Sequence, residues 1–168
     1  MQVTYGAWLH ELIAQPQTRK TSHRSNIETI EAALKTQPQV DCPVRHYFAP
    51  GLFAREFTIP VGGELVAVVG AVHKTENLAV LSKGRMILAT VNGPIEISAP
   101  HTLTVRPGDK NAAVALETCV WTNFFPNPDN ETNIDVLIER LSESLATDLI
   151  GGATNKQLTA NKAAEMEH

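Results

Sequence analysis

The sequence predicts a mainly β protein, an antiparallel sandwich or barrel with helices before and after it. From just beyond Pro43 to about residue 124 the chain is a series of short apolar runs rich in β-branched and aromatic residues, each bounded by Gly, Pro or Asn. No helical periodicity separates these runs, which excludes an alternating βα arrangement. One of the turns between them is Asn92-Gly93, the pair that best tolerates the positive φ of a type I′ hairpin turn.

The elements follow in order. Trp8, Leu9, Leu12 and Ile13 fall at helical spacings and Pro16 closes the segment, which predicts a short amphipathic helix over about 5–15. After a polar connector, Ser25 with Glu28 three residues later forms a capping-box pattern ahead of Ile27, Ile30 and Leu34. That predicts a second helix from Ser25 to about Thr36, stopped by Pro38. Strands are expected at about 45–49, 52–59, 64–72, 77–82, 85–91, 94–98, 102–105 and 112–124. Turns are expected at Pro50-Gly51, Val61-Gly62-Gly63, Lys83-Gly84, Asn92-Gly93 and Pro107-Gly108. Beyond the break FFPNPDNET, Ile134, Leu137, Ile138, Leu141 and Leu145 mark a third amphipathic helix ending near Gly151-Gly152. The organisation is a helical segment at 1–40, a β domain at 41–126, a helix within 127–152 and a polar tail at 153–168.

The 168 residues suit one domain, and 43% hydrophobic content is enough for one continuous core. With 14 Lys and Arg against 18 Asp and Glu there is no basic stripe to neutralise phosphates, so nucleic acid is excluded as an expected partner. No apolar run approaches the length of a bilayer span, and the N-terminus has no basic region leading into an apolar one. The expected compartment is the cytoplasm, with no membrane partner, and the sequon Asn130-Glu131-Thr132 is read as accidental. Cys42 and Cys119 lie in no CxxC pair; they are either buried thiols, the commoner state of such residues, or one disulfide. No GxGxxG after a strand, GxxxxGK[ST], GxSxG or HExxH pattern occurs, which leaves nucleotide and serine-hydrolase chemistry without support.

The stretch from Phe48 to Phe125 carries an ordered set of features. A strand ends at Ile59-Pro60 before a Gly-rich turn, and a strand follows that bears His73. Ser82-Lys83-Gly84 turns into Arg85-Met86, Gly93 marks a hairpin, and Pro107-Gly108 precedes the last strands. In this order the chain resembles the cupin superfamily, in particular small cupin-like proteins of tailed bacteriophages and prophages, over about residues 40–125. The resemblance implies a cupin-type antiparallel β-barrel, or jelly roll, at 41–126, with N-terminal helices and a C-terminal amphipathic helix around it. The family's first motif runs His-x-His, three or four residues, Glu, six residues, Gly. With Gly84 as its last residue, Asn77 takes the Glu position, His73 the second His and Ala71 the first. In the second motif Asn111 stands at the His position and Ala115 at the Asn position.

The ligand set is thus eroded to one imidazole with two amides, and amide oxygens are weak ligands for zinc, iron or manganese. His73 is the metal candidate that remains, and the expectation is a protein with no cofactor or with a weakly held divalent metal. The resemblance, the lost ligands and the extra helices imply a non-enzymatic structural or interaction protein that is phage-related and self-associating. Its partners would be copies of itself and another phage or host protein, in the host cytoplasm or the virion. The alternative is a barrel interior that binds a small molecule, a sugar or a carboxylate, or a metal-dependent cupin enzyme, around His73.

Individual residues divide the two readings. His73 is either a ligand or general base in a pocket, or a buried histidine satisfied by Asn77 or Asn111. Arg55 shares a strand face with Phe53, Phe57 and Ile59 by period-two counting, so it needs an acceptor. It either pairs with an acid such as Glu64 or binds an anionic ligand. The candidate interior set is therefore His73, Asn77, Asn111, Arg55 and Glu64. His46 and His101 read as surface or packing residues, and Trp121 with Phe124 and Phe125 as either a stacking pocket or core.

Overall fold

The computed structural model describes residues 20–143. The helix expected over 5–15 and the tail at 153–168 lie outside the described residues.

The first described helix, α1, spans Lys20–Lys35 and so begins before the Ser25 capping pattern. Ser25 is an interior residue whose carbonyl accepts a hydrogen bond from Thr29 Oγ1 at 3.0 Å. The connector before it contains no Gly or Pro, and an Arg24–Glu28 pair at 3.0 Å supports the extra turn. Ile27, Ile30 and Leu34 form the buried stripe of α1.

Nine strands follow: β1 Val44–Ala49, β2 Gly51–Ile59, β3 Val66–Val69, β4 Asn77–Lys83, β5 Arg85–Thr90, β6 Gly93–Ser98, β7 His101–Val105, β8 Ala112–Ala115 and β9 Cys119–Asn127. They form a five-stranded sheet in the order β1-β2-β9-β4-β7 and a four-stranded sheet in the order β3-β8-β5-β6. Without the edge strand β1, two interleaved four-stranded sets remain, β2-β9-β4-β7 and β3-β8-β5-β6, with every pairing antiparallel. That order is a double-Greek-key jelly roll, the architecture shared by cupins and viral capsid domains.

The run expected as one strand over 112–124 is two, because the ribbon it belongs to folds over a corner. β4 and β5 are separated only by Gly84, yet β4 pairs with β9 in one sheet and β5 with β8 in the other. Leu116–Thr118 makes the same bend on the facing strand. The approach is so close that a Cβ at Gly84 would sit 2.5 Å from the Thr118 carbonyl oxygen and 2.8 Å from Cys119 Sγ, and Gly84 has a φ of 85°. The β5–β6 hairpin also departs from expectation. Thr90 pairs with Gly93, so the turn residues are Val91 and Asn92; Gly93 has the positive φ of 106° and Asn92 does not. A Gly just after the turn, rather than a type I′ pair, makes the reversal.

The main core lies between the sheets and includes Ile59, Val66, Leu81, Met86, Val105 and Trp121. Cys42 and Cys119 are both free thiols buried in it. A second core lies on the outer face of the four-stranded sheet, where Ile27, Ile30 and Leu34 of α1 cover Ala89, Ala112 and Val114. All four residues of β8 are therefore buried, and its Ala-rich sequence leaves room for the helix. Lys110, just before β8, is nearly buried beneath α1 and pairs with Glu31 at 3.1 Å.

The last helix, α2, spans Ile134–Leu141. Asn133 caps it by accepting hydrogen bonds from the amides of Asp135 and Val136. Leu137 and Leu141 pack on Phe53 and Phe125 at one end of the barrel. The helix is shorter than the apolar pattern to Leu145 suggests, because the next residues join a strand-like contact: Ser142 bridges His73, and the Glu143 amide donates to the Val72 carbonyl at 2.9 Å.

The Lys110–Glu31 pair yields a prediction. Glu31→Ala leaves a nearly buried ammonium unpaired and is expected to cost about 2–3 kcal/mol, below the ~3–5 kcal/mol of a fully buried pair because Glu31 is partly exposed. Adding Lys110→Met should recover most of that loss in urea unfolding, and a double variant no more stable than Glu31→Ala would refute the pairing.

Candidate functional site

The inner face of the five-stranded sheet is built in rows. Period-two alternation points Phe53, Arg55 and Phe57 of β2 and Trp121, Asn123 and Phe125 of β9 at the other sheet, and all six line one cavity. Strand register sets them side by side: Phe53 opposite Phe125, Arg55 opposite Asn123, Phe57 opposite Trp121. His46 of β1 extends the middle row beyond Arg55. A polar belt, His46-Arg55-Asn123, thus crosses the sheet between two aromatic rows. The cavity measures about 130 Å³. Met86, Leu88 and Val68 face the belt from the opposite sheet, and Ile138, Leu141 and Ser142 of the α2 region close one end.

A chain of hydrogen bonds runs behind this wall. Trp121 Nε1–H donates to Asn123 Oδ1 at 2.9 Å, Asn123 Nδ2 donates to Asn77 Oδ1 at 2.8 Å, and Asn77 Nδ2 meets His73 Nδ1 at 3.2 Å. An indole nitrogen can only donate. That fixes the orientation of the Asn123 amide, which fixes Asn77, which in turn leaves His73 Nδ1 as an acceptor. His73 is therefore held as the neutral tautomer that carries its proton on Nε2. Its ring stacks on Phe125 with centroids 5.9 Å apart and lines the cavity. Burial lowers the His73 pKa below 6.5, opposed by the charge of Asp109. His23 on α1 is lowered for the same reasons, again with Asp109 opposing.

Arg55 has a different environment. Its Nη1 lies 3.4 Å from His46 Nε2, and among the described residues it makes no ion pair with a carboxylate. The side chain keeps some contact with solvent, yet enough protein surrounds the guanidinium that desolvation brings its pKa down to about 10. It stays charged at neutral pH. A guanidinium only donates, so the ring nitrogen of His46 facing it is the acceptor.

The structure brings together four of the five residues proposed from sequence. His73, Asn111 and Arg55 line the cavity, and Asn77 is buried immediately behind His73 as its hydrogen-bonding partner. Glu64 does not belong to the set. It is exposed in the bend before β3 and forms no ion pair with Arg55 among the described residues, because the Gly62-Gly63 turn carries it away from the inner face. His46, read as a surface or packing residue, packs on Phe53 with ring centroids 5.7 Å apart and sits beside Arg55. Trp121 and Phe125 line the cavity, whereas Phe124 points to the other side of the sheet. Asn123 was missed. Its signal was a lone amide alternating with Trp121 and Phe125, a polar residue on an otherwise aromatic face.

The donor set at His73 does not fit a transition metal. Among the described residues no three His, Cys, Asp or Glu side chains converge, and His73 Nδ1 is committed to Asn77. Thiol chemistry is also disfavoured: burial and the charge of Asp41 push Cys42 up to about 12, and burial raises Cys119, so neither is a thiolate at neutral pH.

No protein-family model and no curated protein matches the sequence. Among solved structures, a cupin-2 domain protein from Shewanella frigidimarina aligns with a TM-score of 0.41 and 13% identity, over 58% of this chain and 92% of that one. A Cupin 2 conserved barrel domain protein from Salinispora arenicola gives 0.42 and 12%, over 56% and 87%. An HTH_3 family transcriptional regulator from Vibrio cholerae gives 0.42 and 14%, and here the chain spans about half of the neighbour, 53%. Likenesses this weak add nothing to the strand order, which by itself defines the class: a jelly-roll β-barrel with a cavity, partly open and mostly apolar, between its sheets.

Two predictions follow from the relay and the lowered imidazoles. Asn77→Asp replaces the amide donor facing His73 with a carboxylate, and the His73 pKa read by NMR titration should rise; no change would show that the two side chains do not interact. Both His23 and His73 resist protonation when folded, so their contribution to stability is complete above pH 6.5 and is lost as pH falls toward the lowered values. The urea midpoint should fall between pH 7.5 and 5, and less steeply in a His23→Gln, His73→Gln double variant; equal slopes would assign the loss to other groups.

Proposed function

We propose that this chain is a small-molecule-binding jelly-roll protein whose site is the barrel interior. The supporting observation is the cavity of about 130 Å³ beside His73, which the large inner side chains Phe57, Met86, Leu88 and Trp121 line without filling. Polar side chains converge on an otherwise apolar, partly open cavity, the usual character of a ligand pocket. Binding without turnover is the favoured reading because the wall carries a neutral imidazole, two amides, a guanidinium and a hydroxyl but no carboxylate or thiol. His73 Nδ1 is committed to Asn77, and the neighbouring Ser142 hydroxyl donates to the Ile138 carbonyl at 3.2 Å, so neither is set to share a proton transfer.

A second property, self-association, has its own support. On the outer face of the five-stranded sheet, register aligns Tyr47, Ala54, Phe124 and Leu78 across four strands, and Tyr47 and Leu78 are 47% and 50% exposed. An apolar row of this kind suits burial against a second copy.

Both are testable. In a Trp8→Phe background, where Trp121 is the sole indole, ring-sized compounds should give saturable fluorescence changes and raise the thermal midpoint. Ala113→Leu, which extends a cavity-lining side chain into the space, should abolish binding without loss of stability. Compounds binding equally well to the filled variant would place the site elsewhere. For association, Leu78→Lys should reduce the native mass to that of one chain, and a wild-type monomer would dismiss the idea.

A further inference from the structure

Resting on the barrel-interior reading above, we propose that the ligand is a small apolar monocarboxylate, its carboxylate held by Arg55 and its hydrocarbon body packed against Phe57, Trp121, Met86 and Leu88. The first ground is Arg55 itself. A guanidinium that is charged at neutral pH and surrounded by protein needs an anion, and among the described residues it forms no ion pair; its hydrogen-bonding contact there is the ring nitrogen His46 Nε2 at 3.4 Å. The aromatic neighbours on its strand face, Phe53 and Phe57, supply no anion.

The second ground is the direction of the hydrogen-bond relay. Because Trp121 donates into it, the chain ends at His73 with Nδ1 occupied, so the imidazole has only an N–H left to offer. The Asn111 side-chain amide, also on the wall, makes no hydrogen bond to the described residues. A guanidinium, an imidazole N–H and an amide are thus gathered in a space whose lining contains no acidic side chain. That set favours an acceptor-rich, negatively charged group.

Charge and volume narrow the class. One guanidinium with neutral donors balances a single negative charge, which selects a carboxylate over a phosphate dianion. A cavity of about 150 Å³ is known to hold a benzene ring. The 130 Å³ here accordingly suits a six-membered ring or a short branched chain and excludes a nucleotide or disaccharide. A sugar would also waste its hydroxyls on the aromatic rows.

The test uses the full chain with four probes in two matched pairs: benzoate and benzamide, 3-methylbutanoate and 3-methylbutanamide. Intrinsic tryptophan fluorescence and calorimetry are read for the wild type and for Arg55→Met. The wild type should bind each carboxylate at least tenfold more tightly than its amide. Arg55→Met should remove that preference, carboxylate binding falling to the level of the amide, and a cooperative thermal transition checks that the variant is folded. If amides bind as tightly as carboxylates and Arg55→Met has no effect, the carboxylate inference falls and the barrel remains a binding site. If none of the four binds the wild type, the inference and the barrel-interior reading fall together.

Discussion

The indole N–H of Trp121 is the constraint on which the barrel interior depends. It is a donor with no capacity to accept, buried between two sheets, and it must find an acceptor or forfeit about 1–3 kcal/mol. Asn123 supplies that acceptor, and the choice propagates through Asn77 to His73 without an alternative at any step. A set of amides that could each have pointed either way is thereby given one direction. The same relay explains how so many polar atoms are tolerated in an apolar interior: each is satisfied by the next, and only the cavity-facing donors are left over.

That interior exists because one ribbon bends. The β4-β5 and β8-β9 segments cross from one sheet to the other at the same place, where Gly84 meets Thr118 and Cys119 too closely for a side chain. Folding the ribbon there faces Met86 and Leu88 toward Trp121 and Asn123. Alternation along β2 and β9 then orders the facing sheet into aromatic, polar and aromatic rows. The position of Arg55 in the polar row follows from the register of β2 against β9, since a slip of one residue would turn it to the outside.

The two helices complete the enclosure differently. α1 lies outside the barrel, sealing the back of the four-stranded sheet with an aliphatic stripe and the Lys110–Glu31 pair. α2 lies across the barrel end and contributes Ile138 and Leu141 to the cavity. Its tether is backbone pairing of residues 142–143 with 72–73, so the element that bears His73 also fixes the cap. The Arg24–Glu143 contact at 3.1 Å joins the two helices, but both side chains are exposed, and such a pair contributes at most about 1 kcal/mol.

Much of this architecture was legible in the sequence because alternation and turn chemistry are local. The runs between Val44 and Asn127 announced strands, Gly and Pro marked the reversals, and period-two counting placed Arg55 among Phe53 and Phe57 on one face. The juxtaposition of His73, Asn77 and Asn111 was implied by the resemblance to the cupin motifs, counted from Gly84 and Gly108. What the sequence could not carry was non-local. The break in 112–124 is imposed by the close approach of Gly84 to the facing segment, and the early end of α2 by pairing with Val72 and His73. Asn123 became a site residue, and His46 the neighbour of Arg55, only when register set them on either side of it, and Glu64 left the set when its turn carried it outward. The sequence by itself determined which residues alternate and where the chain reverses. Only the tertiary structure decided which faces meet, because hydrogen-bond register between distant strands, not local preference, chooses each side chain's neighbours.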